Sequence, residues 1–293
     1  VSAPIRRALL LPAPAIGDGV LALPLARTLL RAGVDVVLHH DALLALAAGL
    51  PGLDIEARPK PLSGLAHASF DALFVGGPWP FEDRDAGAEH VLHLQKAEWD
   101  RESGYIPNLR RLSEAAFGVQ WGPPNCGFSL EHAFPRAARG RVVLQPFSAS
   151  PSKDWSPKRT HLLGQRLRSE GVDVRVVVAP PDLERWHGTA QGDLPITVSP
   201  DLYEVARVLA SADVFVGPDS GLGHLASALG VMTVSLFRRA SSARFWRPAF
   251  SPGRIVLAPL RLPGKHGSRH WAKLVSVGRV HGAVRAMLES RGD

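Results

Sequence analysis

The chain has 293 residues, 45% hydrophobic and 21% charged; this excludes a disordered tail and, at about 100–200 residues per domain, fits two cores. Its 34 Lys and Arg outnumber 27 Asp and Glu, for a formal charge of +7. One cysteine, Cys126, excludes an intramolecular disulfide framework and a multi-cysteine metal or iron–sulfur site. Residues 1–11 place Arg6 and Arg7 before a short apolar run that ends at Pro12. That run lacks the h-region and cleavage site of a signal peptide, and no apolar run approaches the ~18–20 residues that span a bilayer. The expectation is a cytoplasmic protein.

The first element is the buried-strand run 7–11, followed by a Pro/Gly loop and an apolar helix from about Gly19 to Ala32. A second strand is expected over 34–38. Strand, helix and strand with short connections form a βαβ unit, hence a parallel sheet covered on both faces. Further strands are expected at 72–75 and 91–94, with a helix near 106–117. Gly118, Gly122-Pro123-Pro124, Gly127, Pro135 and Gly140 then break the pattern, and the domain boundary is placed at 137/138. A second βα series restarts at Arg141-Val-Val-Leu-Gln145. It continues with helix 158–169, strand 174–178, helix 202–210, strand 213–216, helix 221–229 and strand 232–236. Two open α/β units in succession point to paired Rossmann-like domains, 1–137 and 138–293, whose ligands sit beyond the carboxyl ends of the strands.

Three strand-to-helix loops carry chemistry. In 12–19, Gly17 and Gly19 flank Asp18 at a strand's end. Two readings are open: a helix cap, or a general base beside glycines that let the backbone approach a ligand. In 146–157, small hydroxyl residues including Ser148 surround Lys153, and Ser156-Pro157 reads as N-cap and N1. Lys153, ahead of that cap, is either a phosphate-binding point charge or a solvated lysine. In 216–230, strand runs into helix through Asp219-Ser220-Gly221-Leu222-Gly223-His224. Two readings are open here as well: unpaired first-turn N–H groups and the helix dipole suit a diphosphate, with His224 in the same turn, or the Gly-rich turn only packs helix on strand.

These loops, in this order, resemble the heptosyltransferase family, glycosyltransferase family 9. The likeness rests on Gly17-Asp18-x-x-Leu21-x-x-Pro24 and on Lys153-x-Trp155-x-Pro157. It rests further on Leu202-x-x-Val205-Ala206-x-Val208-Leu209-Ala210-x-Ala212-Asp213, which leads into Pro218-Asp219-Ser220-Gly221-x-x-His224-Leu225-Ala226-x-Ala228-Leu229-Gly230. It covers about 7–38 and most of 141–237, and none is recognised over 50–135. The resemblance implies a GT-B fold: two Rossmann-like domains with parallel sheets facing each other across a cleft, a shortened acceptor side first and a nucleotide-sugar side second. It implies inverting transfer of heptose from ADP-heptose, without a metal or other cofactor, to lipopolysaccharide core or another glycan acceptor. Asp18 is then the base, and Lys153 meets the donor phosphates. Ser148, Asp219, Ser220, Gly221 and His224 frame the donor; apart from the resemblance, Asp182 and Glu184, in the loop after strand 174–178, are candidates for ribose hydroxyls. The chain departs from the family where Arg238-Arg239 follow Leu236-Phe237 in place of a glycine. A protein or small-molecule acceptor, or a non-catalytic nucleotide-sugar binder, remain the alternatives.

The charge is uneven. Residues 1–137 carry twelve basic and fifteen acidic side chains, 138–293 twenty-two and twelve. No carboxylate lies between Asp219 and Glu289, where eleven Lys and Arg fall. This marks a local anion-binding surface, for a diphosphate and for peripheral contact with an anionic membrane at the inner face. The basic 265–273 tract with Trp271 lacks a nucleic-acid motif, and no nucleic-acid partner is expected. Asp83-Arg84-Asp85 reads as a solvated turn. His39-His40-Asp41 and His90-x-x-His93 invite a metal reading but lack a third ligand from a helix, and read as surface or packing histidines.

Overall fold

The computed structural model describes residues 4–60, 70–77, 88–135, 137–188, 194–259 and 271–290. The Asp83-Arg84-Asp85 turn and most of the basic tract, Lys265 to His270, lie outside the described residues. The chain divides into two compact units, Val1–Ser129 and Leu130–Asp293.

Unit 1 runs β1 (Arg7–Leu11), α1 (Ile16–Arg31), β2 (Asp35–His39), α2 (Asp41–Leu44), β3 (Asp54–Glu56), β4 (Ala72–Val75), β5 (His90–His93) and α3 (Tyr105–Phe117). Among the described residues, five strands of this unit pair in the order β3-β2-β1-β4-β5, all parallel. β1 and β4 are continuous apolar runs because both faces of the sheet are covered. Leu9, Leu11, Val37, Leu73 and Val75 pack on one face, and the alternate residues Ala8, Leu10, Leu38 and Phe74 are buried as well.

Helix α1 begins three residues before the expected start. Ala15 is its extended N-cap, and the Ala15 carbonyl accepts from the N–H of Asp18 and Gly19 at 3.0 and 3.2 Å. Gly17, Asp18 and Gly19 therefore form the first helical turn. Pro24, inside α1, has no N–H for the carbonyl of Val20. The thiol of Cys126 reaches that carbonyl at 3.9 Å, within donor range for sulfur. Burial pushes the Cys126 thiol well above the ordinary range, so the lone cysteine is a capped packing residue and a poor nucleophile.

Unit 2 runs β6 (Arg141–Leu144), α4 (Pro157–Ser169), β7 (Asp173–Val178), α5 (Leu183–His187), β8 (Ile196–Val198), α6 (Leu202–Ala210), β9 (Val214–Pro218), α7 (Gly221–Ala228), β10 (Met232–Phe237), α8 (Ala240–Trp246), β11 (Gly253–Leu257) and α9 (Val277–Glu289). Among the described residues, six strands of this unit pair in the order β11-β10-β9-β6-β7-β8, again all parallel. α9 is absent from the sequence expectation. Gly278 and Gly282 lower its helix propensity, yet Val280, Val284 and Met287 recur at helical spacing and pack into the core with Leu163 and Leu167 of α4. Ser276 caps its start, its Oγ accepting from Arg279 N–H at 3.3 Å.

Both units wind outward from a central strand in two directions. The chain leaves β1 for β2 on one side and returns to β4 on the other; β6, β7 and β9 repeat the pattern. The switch points therefore fall between β1 and β4 and between β6 and β9, where loops diverge and open space for a ligand. In unit 1, Gly76 after β4 abuts the loop after β1. A Cβ at Gly76 would stand 2.8 Å from Ala13 N and 2.9 Å from Pro12 Cα, both backbone atoms that cannot yield cheaply. We expect Gly76→Ala to destabilise the chain by about 1–3 kcal/mol, read as a lower denaturation midpoint at unchanged m-value.

Candidate functional site

The strongest constellation of unit 2 lies at its switch point. Gln145, the first residue past β6, accepts a hydrogen bond from Ser220 Oγ at 2.7 Å. Ser220 is the extended N-cap of α7, and its hydroxyl also accepts from Gly223 N–H at 3.4 Å. The proton and a lone pair of this hydroxyl are thus used to lock the helix start onto β6. Gly217 allows the approach, since a Cβ there would fall 2.8 Å from the Phe215 ring and 3.2 Å from Gln145.

The loop after β6 is held as a closed turn. Asp154 Oδ1 accepts from Ser148 N–H at 2.7 Å and lies 2.9 Å from its hydroxyl. Asp154 Oδ2 pairs with Arg185 of α5 at 2.9 Å, and Arg185 also binds Asp182 and stacks over Phe147. The Asp154 bond is the main cause holding the Arg185 guanidinium above its ordinary pKa. Trp271 Nε1 donates to Ser152 O at 3.0 Å, and buried Trp155 donates to Val275 O at 3.1 Å. Ser156 is the N-cap with Pro157 following it, although the Ser156 side chain makes no cap hydrogen bond.

Lys153 projects from this turn. Its Nζ lies 2.8 Å from Asp219 Oδ2, with 45% of the lysine side chain exposed against 16% of the aspartate. An ion pair so accessible contributes at most about 1 kcal/mol to stability. What the pair fixes is the position of a cation beside the N-terminus of α7. His224, in the first turn of that helix, is buried, and burial pushes its imidazole down to about 4. The nearby Lys153 charge acts in the same direction and Asp219 opposes them. His224 is therefore neutral at physiological pH. Its Nδ1 has no hydrogen-bond partner among the described residues, a costly condition for a buried polar atom. A cation, a helix N-terminus and an unpartnered imidazole nitrogen on adjacent strand ends suit an anion carrying a polar group.

The remaining expected residues divide. Ser148 belongs to the same loop, but Asp154 engages it. Gly221 is the first residue of α7. Glu184 is exposed on α5, after β7. Asp18 lies in unit 1, half-buried on the first turn of α1, where a carboxylate is favoured by the dipole. It is near enough to Tyr105 of α3 that its charge adds to burial in raising the phenol above its ordinary pKa. Of the two open readings for the histidines, surface or packing, the structure shows packing contacts for two: His39 Nδ1 lies 2.9 Å from Ala57 O and His90 Nδ1 lies 3.1 Å from Ala116 O. Among the described residues, no group of three or more His, Cys, Asp or Glu is placed to hold a metal ion. None of the described helices is long and apolar enough to cross a membrane.

The family model described as glycosyltransferase family 9 (heptosyltransferase) matches residues 91–262, more than half of the chain. The chain belongs to glycosyltransferase family 9. The match contains Lys153, Asp219 and His224, reaches back into 91–135, where the motifs show no likeness, and leaves out Asp18. Lipopolysaccharide heptosyltransferase 3 of Escherichia coli is 29% identical over 126 residues, 41% of this chain and 36% of that protein. Lipopolysaccharide heptosyltransferase 1 of Pseudomonas aeruginosa is 30% identical over 164 residues, 47% of this chain and 46% of that protein. The chain thus spans less than half the length of these curated relatives. The structure of the ADP-heptose lipopolysaccharide heptosyltransferase II of E. coli matches at a TM-score of 0.72 and 18% identity, over 98% of this chain and all of that one. The fold is the two-unit α/β arrangement of the GT-B heptosyltransferases.

Gln145, Asp154, Arg185 and Trp271 escaped the sequence reading because each acts through tertiary partners. Asp154 carried a local signal, being a polar residue in the 146–157 loop already singled out, and Gln145 a weaker one, as the polar end of the strand run just before that loop. Trp271 read as part of a basic surface tract, yet it is buried against the lysine loop.

Two stability measurements check this site. Lys153→Ala should lower the thermal midpoint by no more than about 3 °C, as an exposed pair allows. Unfolded His224 takes a proton near pH 6.5 and the folded residue near 4, so stability is lost as pH falls through that window. Its share is of order 3 kcal/mol, and denaturant titrations of His224→Gln should show a correspondingly flatter profile between pH 6.5 and 4.

Proposed function

We propose that the chain is an inverting glycosyltransferase that moves a heptose-type sugar from ADP-heptose to an acceptor hydroxyl of a lipopolysaccharide core or related saccharide. The observation that carries the reading is the Lys153–Asp219 pair beside the start of α7, on a family-9 scaffold. In the proposed step the Asp18 carboxylate takes the proton of the acceptor hydroxyl as its oxygen attacks the anomeric carbon. The bond from that carbon to the diphosphate oxygen breaks, and the nucleoside diphosphate departs with the electron pair. Lys153 and the first N–H groups of α7 meet the charge that develops on the leaving group, where preorganised donors are most effective. Ser220 and Gln145 keep that helix end in place, and neutral His224 offers its Nδ1 to a donor hydroxyl or amino group. The step uses no metal, since the cation and helix dipole supply the charge that one would bring.

The acceptor class is supported by the two curated relatives, both named lipopolysaccharide heptosyltransferases. The excess positive charge of 138–293 fits a peripheral approach to the cytoplasmic face of an anionic membrane carrying a lipid-linked acceptor.

Thermal shift across ADP, UDP, GDP and CDP tests the donor. ADP alone should stabilise the chain, and Lys153→Ala should weaken its binding by roughly tenfold to a hundredfold, the worth of a charge-assisted contact. Equal shifts with all four would remove the adenine assignment. Asp18→Asn should abolish ADP release from ADP-heptose in the presence of a heptose-free core acceptor and leave ADP affinity within about twofold. Full transfer by that variant would remove the base assignment.

A further inference from the structure

We propose that His40 is a positioning residue for the turn that carries Asp18, an inference that rests on the reading of Asp18 as the base. His40 follows β2 as the N-cap of α2, and its side chain is fully buried. The N–H of Leu43 donates to Nδ1 at 3.2 Å, which leaves the ring proton on Nε2. That proton faces two carbonyls of the loop after β1, Ala13 O at 3.0 Å and Ala15 O at 3.2 Å. Ala15 is the N-cap of α1, and its carbonyl also accepts from the N–H of Asp18 and Gly19. One imidazole thus joins the end of β2 to the peptide group that starts the Asp18 turn.

Gly19 is shaped for this contact. A Cβ at Gly19 would fall 2.8 Å from both Cε1 and Nε2 of His40. The glycine next to Asp18 is explained by the ring that must lie against it, without appeal to a ligand. Arg58, beyond β3, adds a second clamp by donating from Nη1 to Pro12 O at 2.5 Å. The loop before Asp18 is therefore gripped from the ends of two neighbouring strands, and displacement of a base by about 1 Å costs on the order of a hundredfold in rate.

A pair of substitutions separates positioning from simple helix capping. His40→Asn keeps an acceptor for Leu43 N–H and is too short to reach the loop carbonyls. His40→Gln extends an amide donor toward Ala13 and Ala15 and gives up the cap geometry. We expect His40→Asn to lower kcat for ADP release from ADP-heptose, with the heptose-free core acceptor, by about tenfold to a hundredfold. Donor KM should stay within about twofold, and His40→Gln should retain kcat within about threefold. Amide hydrogen exchange at Asp18 and Gly19 should accelerate in the Asn variant and stay slow in the Gln variant. Gly19→Ala, whose Cβ collides with the ring, should lower the thermal midpoint and lose kcat even when assayed well below that midpoint; it decides the matter if His40→Asn does not fold. Equal kcat and equal exchange in the two His40 variants, or a fully active Gly19→Ala, would overturn the proposal. Full activity of Asp18→Asn would instead defeat the base assignment, and the exchange measurement would still report whether His40 holds the turn.

Discussion

Parallel pairing forces every strand-to-helix loop of a unit to leave its sheet at the same edge, and the chemistry of this chain follows from that constraint. In unit 2 the loops after β6 and β9 are neighbours at that edge although about 70 residues of chain separate Lys153 from Asp219. Neighbouring strands about 5 Å apart are what allow a lysine from one loop to meet an aspartate from the other at 2.8 Å. Unit 1 applies the same rule to the loop before Asp18, which meets Gly76 from the strand next door.

The polar groups around these loops are dedicated to geometry more than to stability. The Lys153–Asp219 pair is too exposed to hold the fold, and burial of neutral His224 with an unpartnered nitrogen works against folding. The surrounding bonds compensate by rigidity: Ser220 to Gln145, Ser148 to Asp154, Asp154 to Arg185, and the Trp271 indole to Ser152. Each fixes one side of the lysine loop or one end of α7. In the proposed transfer, a charge preorganised in this way needs no rearrangement when the leaving group becomes anionic, the condition under which electrostatic stabilisation is most effective.

His40 shows how easily a functional support is mistaken for packing. In the sequence it is one of two adjacent histidines, which invites thoughts of a metal; in the fold it is a neutral donor with both ring nitrogens spoken for. Its partner Gly19 reads as a glycine that lets the backbone approach a ligand, and in the structure it yields space to an imidazole. The same substitution of purpose holds for Cys126, whose thiol answers the carbonyl that Pro24 leaves unpaired.

The sequence by itself determined the alternation of strands and helices, because apolar runs covered on both faces and glycine-marked strand ends are local signals. It also marked Asp18, Lys153 and the Asp219–His224 turn as candidates, since charges and glycines at strand ends are local signals, while a helix cap and a solvated lysine stayed open as readings. Short elements such as β3, β8 and α5 were invisible, being too brief to show periodicity. α9 was hidden by glycines that tertiary packing of Val280, Val284 and Met287 overrides. Strand order, and with it the two switch points, was a tertiary decision: pairing between distant strands depends on which buried faces fit. So were the partners of Ser220, Ser148 and His40. Their roles are set by atoms from 75, 6 and 27 residues away, and two of these three separations exceed any spacing that local sequence encodes.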